Sequence, residues 1–479
     1  MLDTPNRPAE PKGPALCVDL DGTLLNSDLL YESVLALLAR NPLYLFLLPL
    51  WLLRGKAALK RELASRVSIP AETLPYNPRV LELLRTTAQR PRVLCTASDI
   101  GLVAPIAEHL GLFEQVIASD GRRNLSGRNK AQALVEAFGS RGFEYAGNGS
   151  IDVAVWEQAG GAWVVNNGAA LARRAGRCTQ VHAHWPAEPR LRPWLKALRL
   201  HQWLKNLLVF VPLLASHRFL EPAVVGDAVL AFLAFGLCAS GVYVLNDLLD
   251  LTPDRLHPRK RNRPFAAGRI PLLHGLFVAP LLALAGLALA WLCSPSFALV
   301  LLAYYAMTLA YSLRLKRIVM IDVVLLAALY TVRIIGGTVA IGTEMSFWLL
   351  AFSMFIFLSL ALVKRYTELV SASSLGKTAA SGRGYGVDDL PLLQSLGAAS
   401  GYIGILVLAL YINSPESLEL YRNPKLLWLI CPVLLYWISR VWVIAHRGDM
   451  HDDPIVFAAT DRTSQVVVAL CILFVLGAI

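Results

Sequence analysis

Asn246-Asp247-Leu248-Leu249-Asp250-Leu251-Thr252-Pro253-Asp254-Arg255-Leu256-His257-Pro258-Arg259-Lys260-Arg261-Asn262-Arg263-Pro264 closes a long apolar run that begins near Ala223. It places three carboxylates and a block of cations at the end of an expected membrane helix. At ~100° per residue, Asp247, Asp250 and Asp254 share one face about 60° wide. Carboxylates that close repel one another unless a cation lies between them. Mg²⁺ is the natural candidate, because it takes oxygen ligands and is usually shared with substrate phosphates. The flanking Lys and Arg side chains suit the remaining phosphate charge. Ionisable residues at the edge of a membrane helix are usually functional. The stretch therefore reads as a diphosphate site at the membrane surface.

Working outward, the 479 residues are 56% hydrophobic and only 16% charged, but the average hides two halves. Residues 1–190 have the composition of a soluble domain. From about residue 203, apolar runs long enough to cross a bilayer recur. Nine are expected, roughly at 203–217, 224–249, 271–293, 296–314, 318–341, 346–368, 391–413, 424–445 and 464–479. The fold class is thus two-part: an N-terminal α/β domain, then an all-α integral membrane domain of about nine transmembrane helices. The first twenty residues are polar and Pro-rich, which does not suit a signal peptide; residues 1–13 read as a disordered tail.

The net charge of +11 is uneven. Basic clusters follow the second run (Arg255 to Arg269), the fourth (Arg314, Lys316, Arg317), the sixth (Lys364, Arg365, Lys377, Arg383) and the eighth (Arg440, His446, Arg447). The positive-inside rule then puts these loops and the N-terminal domain in the cytoplasm of a bacterial-type inner membrane. No basic patch interleaved with stacking aromatics appears, which argues against nucleic-acid binding. The seven cysteines contain no CxxC pair and read as small apolar residues, not disulfides or zinc ligands.

In the N-terminal half, Ala15-Leu-Cys-Val-Asp19-Leu-Asp21-Gly22-Thr23-Leu24 reads as a buried strand entering a tight turn. Two carboxylates so placed suit phosphoryl transfer: one attacks phosphorus, the other moves the proton. Arg92-Val-Leu-Cys-Thr96-Ala-Ser98-Asp99 is a second strand ending in a hydroxyl. Lys130 opens a helix, and Tyr145-Ala-Gly147-Asn148-Gly149-Ser150-Ile-Asp152 is a third strand with polar residues at its end. Together these motifs resemble the haloacid-dehalogenase (HAD) phosphatase superfamily over about residues 14–175. The resemblance implies Asp19 as nucleophile, Asp21 as acid/base, Thr96 as phosphate holder and Lys130 as charge balance. It also implies Asp152 as the acid of the fourth motif and Mg²⁺ on Asp19, Asp21 and Asn148. An Asn at that place is a weaker Mg²⁺ ligand than an acid.

An insertion at about 28–78 stands where such a domain carries a cap. Within it, Asn41-Pro-Leu-Tyr-Leu-Phe-Leu-Leu-Pro-Leu-Trp51-Leu-Leu-Arg54 is too short to span and is followed by Lys56, Lys60, Arg61 and Arg66. The patch 42–53 reads either as a face laid on an anionic leaflet or docked on the membrane domain, or as an ordinary buried cap. Residues 176–200, with Pro186, Pro189 and Pro193, read as a basic linker and interfacial helix leading to 201–479.

The Asn-Asp-x-x-Asp-x-x-x-Asp pattern resembles the UbiA-type prenyltransferase superfamily over about 190–479. That likeness implies a diphosphate donor held through Mg²⁺ on Asp247, Asp250 and Asp254, with Asp247 and Asp250 catalytic. A second Asp-rich motif, typical of the superfamily, is lacking; the corresponding place reads Tyr311-Ser-Leu-Arg314-Leu-Lys316-Arg317, then Asp322, with Arg333 inside the next run. This departure resembles the decaprenyl-phosphate phosphoribosyltransferases, as do Asp-Arg-x-His-Pro-x-Lys-Arg-x-Arg-Pro and Arg199-Leu-His-Gln202-Trp203-Leu-Lys205-Asn206. The donor implied is phosphoribosyl pyrophosphate, and the acceptor a polyprenyl phosphate. Lys205, Asn206, Asn246, Lys260, Arg261, Arg263, Tyr311, Lys316, Asp322, Arg333, Lys364, Arg365, Arg447, Asp453 and Arg462 are the candidate substrate-binding side chains. The segment 371–387 reads as a lid or a linker. The implied sequence of events is phosphoribosyl transfer to the lipid, then removal of the 5-phosphate by the HAD-like domain. Rival readings are a conventional prenyltransferase acting from a prenyl diphosphate on an aromatic acceptor, a transporter, and a scaffold whose phosphatase is the only enzyme.

Overall fold

The computed structural model describes residues 13–121, 123–376, 378–379, 384–450 and 454–479. The expected tail (apart from Gly13), Lys377, Arg383, His451, Asp452 and Asp453 lie outside these residues. The chain folds as two units. One is Met1–Leu198 with Tyr243–Val278; the other is Arg199–Val242 with Ala279–Ile479.

The first unit is built on a six-stranded parallel sheet of order β3-β2-β1-β4-β5-β6. Its strands are β1 (Ala15–Val18), β2 (Arg92–Asp99), β3 (Gln115–Ser119), β4 (Phe143–Gly147), β5 (Gly161–Val165) and β6 (Gln180–Trp185). β1 is buried throughout, as expected of a central parallel strand covered on both faces. Alternation along it sends Leu16 and Val18 into one apolar core and Ala15 and Cys17 into the other. β1 pairs with β2 on one side and β4 on the other, Val18 lying opposite both Leu94 and Ala146. The strand order reverses there, and ligands of open α/β sheets bind outside the carboxyl ends of the strands at that point. The turn after β1 depends on Gly22: its φ is +75°, and a Cβ would stand 2.0 Å from the Asn148 amide.

The insertion after β1 folds as short helices, including Leu29–Arg40, Leu48–Leu53 and Lys56–Ala64, around a small core of Leu37, Trp51, Leu59 and Leu63. Its apolar run is largely outward-facing: Leu43 is 67% exposed, Phe46 73% and Leu53 84%, so the buried-cap alternative does not hold for these side chains.

The segment Tyr243–Val278 packs into this same unit. The Arg255 guanidinium donates to Glu32 at 2.6 and 3.1 Å, with both side chains about 95% buried. Trp194 meets Phe265 edge-on at 5.9 Å. Gly268, at φ +67°, approaches Asn26 so closely that a Cβ would lie 2.4 Å from its carbonyl oxygen.

Among the described residues seven helices are long and apolar enough to cross a membrane: Pro222–Leu249, Leu272–Cys293, Pro295–Leu313, Ile321–Ala340, Phe347–Ser374, Val387–Ile412 and Pro424–Arg447. Of the nine expected runs, the first and the last form shorter pieces. The run at 203–217 is a 3-10 helix, Leu200–Phe210, followed by a five-residue α-helix, Val211–Ala215, with Pro212 near its start. The final run forms Arg462–Ala478, 17 residues, or about 25 Å of helix against a ~30 Å hydrocarbon core. All seven cysteines are free.

Candidate functional site

In the first unit the motif residues converge at the carboxyl ends of β1, β2 and β4. Asp19, Asp21, Lys60, Ser98, Lys130, Asn148 and Asp152 line one cavity of about 290 Å³. Lys130 Nζ donates to Asp19 at 2.7 Å and to the Tyr145 hydroxyl at 2.8 Å, and that hydroxyl donates to Asp152 at 3.1 Å. Asp21 accepts from the Leu29 amide at 2.8 Å and the Ser98 hydroxyl at 2.7 Å. The other Asp152 oxygen accepts the amides of Asn148 and Gly149, so Asp152 braces the loop after β4.

Burial pushes Asp19 up to about 7, against the pull of Lys130 and with repulsion from Asp152 adding to the rise. Burial and then Asp28 lift Asp21 to about 6. An acid in that range gives and takes protons readily near neutral pH. Burial would lower Lys130, but Asp19 and Asp152 outweigh it and hold the ammonium above its ordinary value.

Thr96 is fully buried; its hydroxyl accepts the Ser98 amide at 3.0 Å. Ser98, not Thr96, lines the cavity. Ser98 lies two residues after Thr96 in the same strand motif, so alternation along the strand does not separate the two hydroxyls. Lys60 comes from the inserted helices and donates to the Ala97 carbonyl at 2.5 Å; only folding brings it here. The oxygens left for a magnesium ion are the second Asp19 oxygen and the Asn148 amide oxygen, an all-oxygen set suited to a hard cation that keeps several waters.

The Asp-rich stretch forms a second centre in the same unit. The helix Pro222–Leu249 gives way at Asp250 to Leu251–Leu256. Helical hydrogen bonds continue across the junction, from Asp250 to Asn246 and from Asp254 to Asp250, each 2.9 Å. Asp247 and Asp254 are almost wholly buried, and one Arg263 nitrogen reaches both, at 3.2 and 2.6 Å. Burial raises the Asp254 carboxyl despite that arginine. Asp250 is half-buried, and Lys260 and Arg261 are exposed. Among the described residues no three His, Cys, Asp or Glu side chains gather tightly enough to hold a metal alone. Two neighbouring carboxylates fit Mg²⁺ shared with substrate phosphates.

The second unit contains two buried polar networks. In one, Arg333 donates to Asn206 Oδ1 at 2.9 Å, to the Tyr304 hydroxyl at 2.9 Å and to the Leu329 carbonyl. Its guanidinium lies over the Tyr304 and Tyr330 rings, and the Lys205 ammonium is 5.8 Å from Tyr330. Lys205 and Arg333 are both more than nine-tenths buried, and the Asn206 amide nitrogen is buried without an acceptor. Every hydrogen-bond partner of Arg333 named here is neutral. In the other network, Asp322 is fully buried between Arg365 and the Tyr385 hydroxyl, the latter at 2.6 Å. Arg365 also donates to Glu368 and, at 2.8 Å, to Tyr311. Lys316 and Lys364 are half-buried; Arg447 and Arg462 stand exposed at helix ends, outside both networks.

The profile of the UbiA prenyltransferase family matches residues 207–463, more than half of the chain. An uncharacterized protein of Sinorhizobium fredii is 40% identical over 466 residues, 96% of this chain and 90% of that protein. The decaprenyl-phosphate phosphoribosyltransferase of Mycolicibacterium smegmatis is 32% identical over 278 residues, 57% of this chain and 87% of the relative. Among solved structures, a UbiA homolog from Archaeoglobus fulgidus bound to GPP and Mg²⁺ aligns with a TM-score of 0.48 at 18% identity, covering 59% of this chain and 99% of that one. With its family profile and its seven membrane-length apolar helices, the chain is a multi-pass membrane enzyme that belongs to the UbiA prenyltransferase family.

Proposed function

We propose that the chain moves the 5-phosphoribosyl group of phosphoribosyl pyrophosphate onto a polyprenyl phosphate, and that its α/β domain is a HAD-type phosphatase that then removes the 5-phosphate. The observation that carries the transferase reading is the buried Arg333, whose hydrogen-bond partners are all neutral, beside the Asn206 amide nitrogen, which is buried without an acceptor. A buried cation held by neutral groups calls for an anion. A donor with a diphosphate and a 5-phosphate, meeting a phosphate acceptor, supplies more anionic charge than a prenyl diphosphate does. The kinship with a decaprenyl-phosphate phosphoribosyltransferase supports the same donor.

In the transfer step the ribose C1–O bond breaks and the diphosphate leaves with the electron pair. A lipid phosphate oxygen forms the new bond to C1; already anionic, it needs no general base. Asp247, Asp250 and Asp254 would hold Mg²⁺ together with substrate phosphate oxygens, and the ion would supply charge neutralisation for the leaving diphosphate. In the first unit Asn246, Lys260, Arg261 and Arg263 position phosphates; in the second, Lys205, Asn206 and Arg333 do. In the phosphatase step an Asp19 oxygen attacks phosphorus while Asp21 protonates the departing sugar oxygen. Asp21 then takes a proton from the water that releases phosphate from Asp19. Lys130 balances the charge of Asp19.

We assign 14–175 to the phosphatase, 28–78 to its cap, 176–200 to the linker and 201–479 to the transferase. Basic residues concentrated in alternate loops support a cytoplasmic placement of both sites in an inner membrane. The test is incubation of the purified chain in detergent with Mg²⁺, polyprenyl phosphate and radiolabelled phosphoribosyl pyrophosphate. Label is expected in the lipid phase, lost in Asp247→Ala, with dephosphorylated lipid-ribose accumulating only when Asp19 is intact. Transfer from a prenyl diphosphate to an aromatic acceptor instead would replace this reading with the conventional one.

A further inference from the structure

A second cavity, of about 470 Å³, adjoins the acid cluster within the unit of Met1–Leu198 and Tyr243–Val278. It shares Asp21, Asp28 and Asn148 with the smaller cavity that holds Asp19. The two spaces therefore meet at the side chain assigned as proton donor to the leaving oxygen, which makes the larger one the space open to the departing group. Its volume is that of a small-ligand pocket, roughly 300–1,000 Å³.

Three arginines line it from three parts of the chain. Arg79 begins the helix Pro78–Thr86, Arg190 ends the Pro186–Arg190 stretch, and Arg269 belongs to the segment that carries the Asp-rich motif. None of the three has a carboxylate within ion-pair distance among the described residues. Glu188 is the only other charged carboxylate on the wall besides the shared Asp21 and Asp28. The wall is firmly built. The Asn166 amide donates at 2.9 Å both to the Gly22 carbonyl and to Asn26 Oδ1. Gly268 then abuts Asn26 with no room for a side chain, which sets the backbone that carries Arg269.

A neutral sugar leaving group has no need of three guanidinium groups, whereas a second phosphate does, because planar N–H forks match its oxygens. We propose that this cavity is the leaving-group pocket of the phosphatase and that it selects phosphomonoesters whose sugar carries a second phosphate, recognised by Arg79, Arg190 and Arg269. The inference rests on the phosphatase reading given above and narrows it to a substrate class. The second phosphate is supplied either by a lipid-linked phosphoribose or by a soluble sugar bisphosphate.

The test uses the full-length protein in detergent with Mg²⁺. Hydrolysis of ribose 1,5-bisphosphate and of polyprenyl-phosphoryl 5-phosphoribose is measured relative to 4-nitrophenyl phosphate, which has no second anion. Arg79→Gln and Arg269→Gln are each expected to lower the preference for the doubly phosphorylated substrates by about 10-fold or more. Loss of preference for the lipid substrate alone identifies the lipid as the source; equal loss for both identifies the phosphate itself. A ratio unchanged in both variants, in an enzyme that Asp19→Asn inactivates, overturns the pocket and leaves the phosphatase standing. If the parent hydrolyses none of the three substrates, the phosphatase reading fails. The pocket is then judged by affinity for ribose 1,5-bisphosphate relative to ribose 5-phosphate: a fall of the same size in both variants keeps it as an anion site, and no fall ends it.

Discussion

Arg333 and Glu144 illustrate two opposite uses of a buried charge. Arg333 is surrounded by neutral oxygen acceptors and two aromatic rings. Arg333→Met keeps the apolar stem and removes the cation. Phosphoribosyl transfer is expected to fall by roughly 10- to 100-fold in kcat/KM, the value of a charge-assisted contact, while the thermal midpoint in detergent stays close to the parent's. Intact transfer with a large loss of stability would make Arg333 a structural residue. Glu144, by contrast, is fully matched: Arg90 donates to both its oxygens, at 3.0 and 2.8 Å, and Trp163 adds a third bond at 3.1 Å. Burial alone would raise its carboxyl, but these bonds outweigh burial and hold it below the ordinary range. A lowered folded-state value means the network stabilises the fold above the ordinary glutamate pKa of about 4.3, and that this contribution is lost as the pH falls through the folded value. Glu144→Gln should therefore cost about 1–2 kcal/mol at pH 7. Urea denaturation should show the gap from the parent closing as the pH drops below about 4. Asp19, Asp21, Lys130 and Asp152 were legible in the sequence because the motifs that carry them follow one another in the order of the HAD family, and the fold brings all four to one cavity. Ser98 and Tyr145 were not, since a hydroxyl beside a more familiar motif residue gives no sign of which way it faces.

At the scale of elements, hydropathy located the seven long helices, and the first and last of the nine expected runs fold as shorter pieces. An apolar average does not register the 3-10 winding of Leu200–Phe210 or the proline that follows, and it cannot tell 17 helical residues from 20. The sheet was legible only in part. The run Ala15–Val18 has to be a central strand, yet the order 3-2-1-4-5-6 depends on crossovers that no local pattern encodes. The helices Leu48–Leu53 and their neighbours present Phe46 and Leu53 to the outside, where water would be a poor partner for them. An apolar patch beside Lys56 and Arg61 suits an anionic leaflet. Replacing Phe46 and Leu53 together by Glu is expected to slow hydrolysis of lipid-linked phosphoribose in anionic vesicles by about 10-fold or more. Hydrolysis of a soluble phosphomonoester is the internal reference, and equal slowing of both would remove the membrane from the explanation.

At the scale of the molecule, the sequence suggests a cut at the proline-rich linker, and the fold places Tyr243–Val278 with the α/β domain instead. Composition cannot reveal this, because the attachment depends on a few side chains: Arg255 on Glu32, Phe265 against Trp194, and the bare backbone of Gly268. Arg255→Met leaves the Glu32 carboxylate buried without its cation, and breaking such a pair costs about 3–5 kcal/mol. The expected result is a lower unfolding midpoint for the α/β domain, followed by tryptophan fluorescence, with partial recovery when Glu32 is changed to Leu in the same chain. An unchanged midpoint would mean that the segment is only a neighbour.

Asp254 and Arg255 are consecutive, yet one belongs to the carboxylate centre and the other fastens the α/β domain. A single peptide bond thus links the carboxylate centre to the anchoring of the α/β domain. A recombinant that exchanged only the first two hundred residues for another α/β domain would leave Arg255 facing a foreign surface, one residue from the Asp254 carboxylate. The halves are therefore not interchangeable cassettes, and any lineage or engineer that swaps one must carry over the Glu32 position with it or rewrite Arg255.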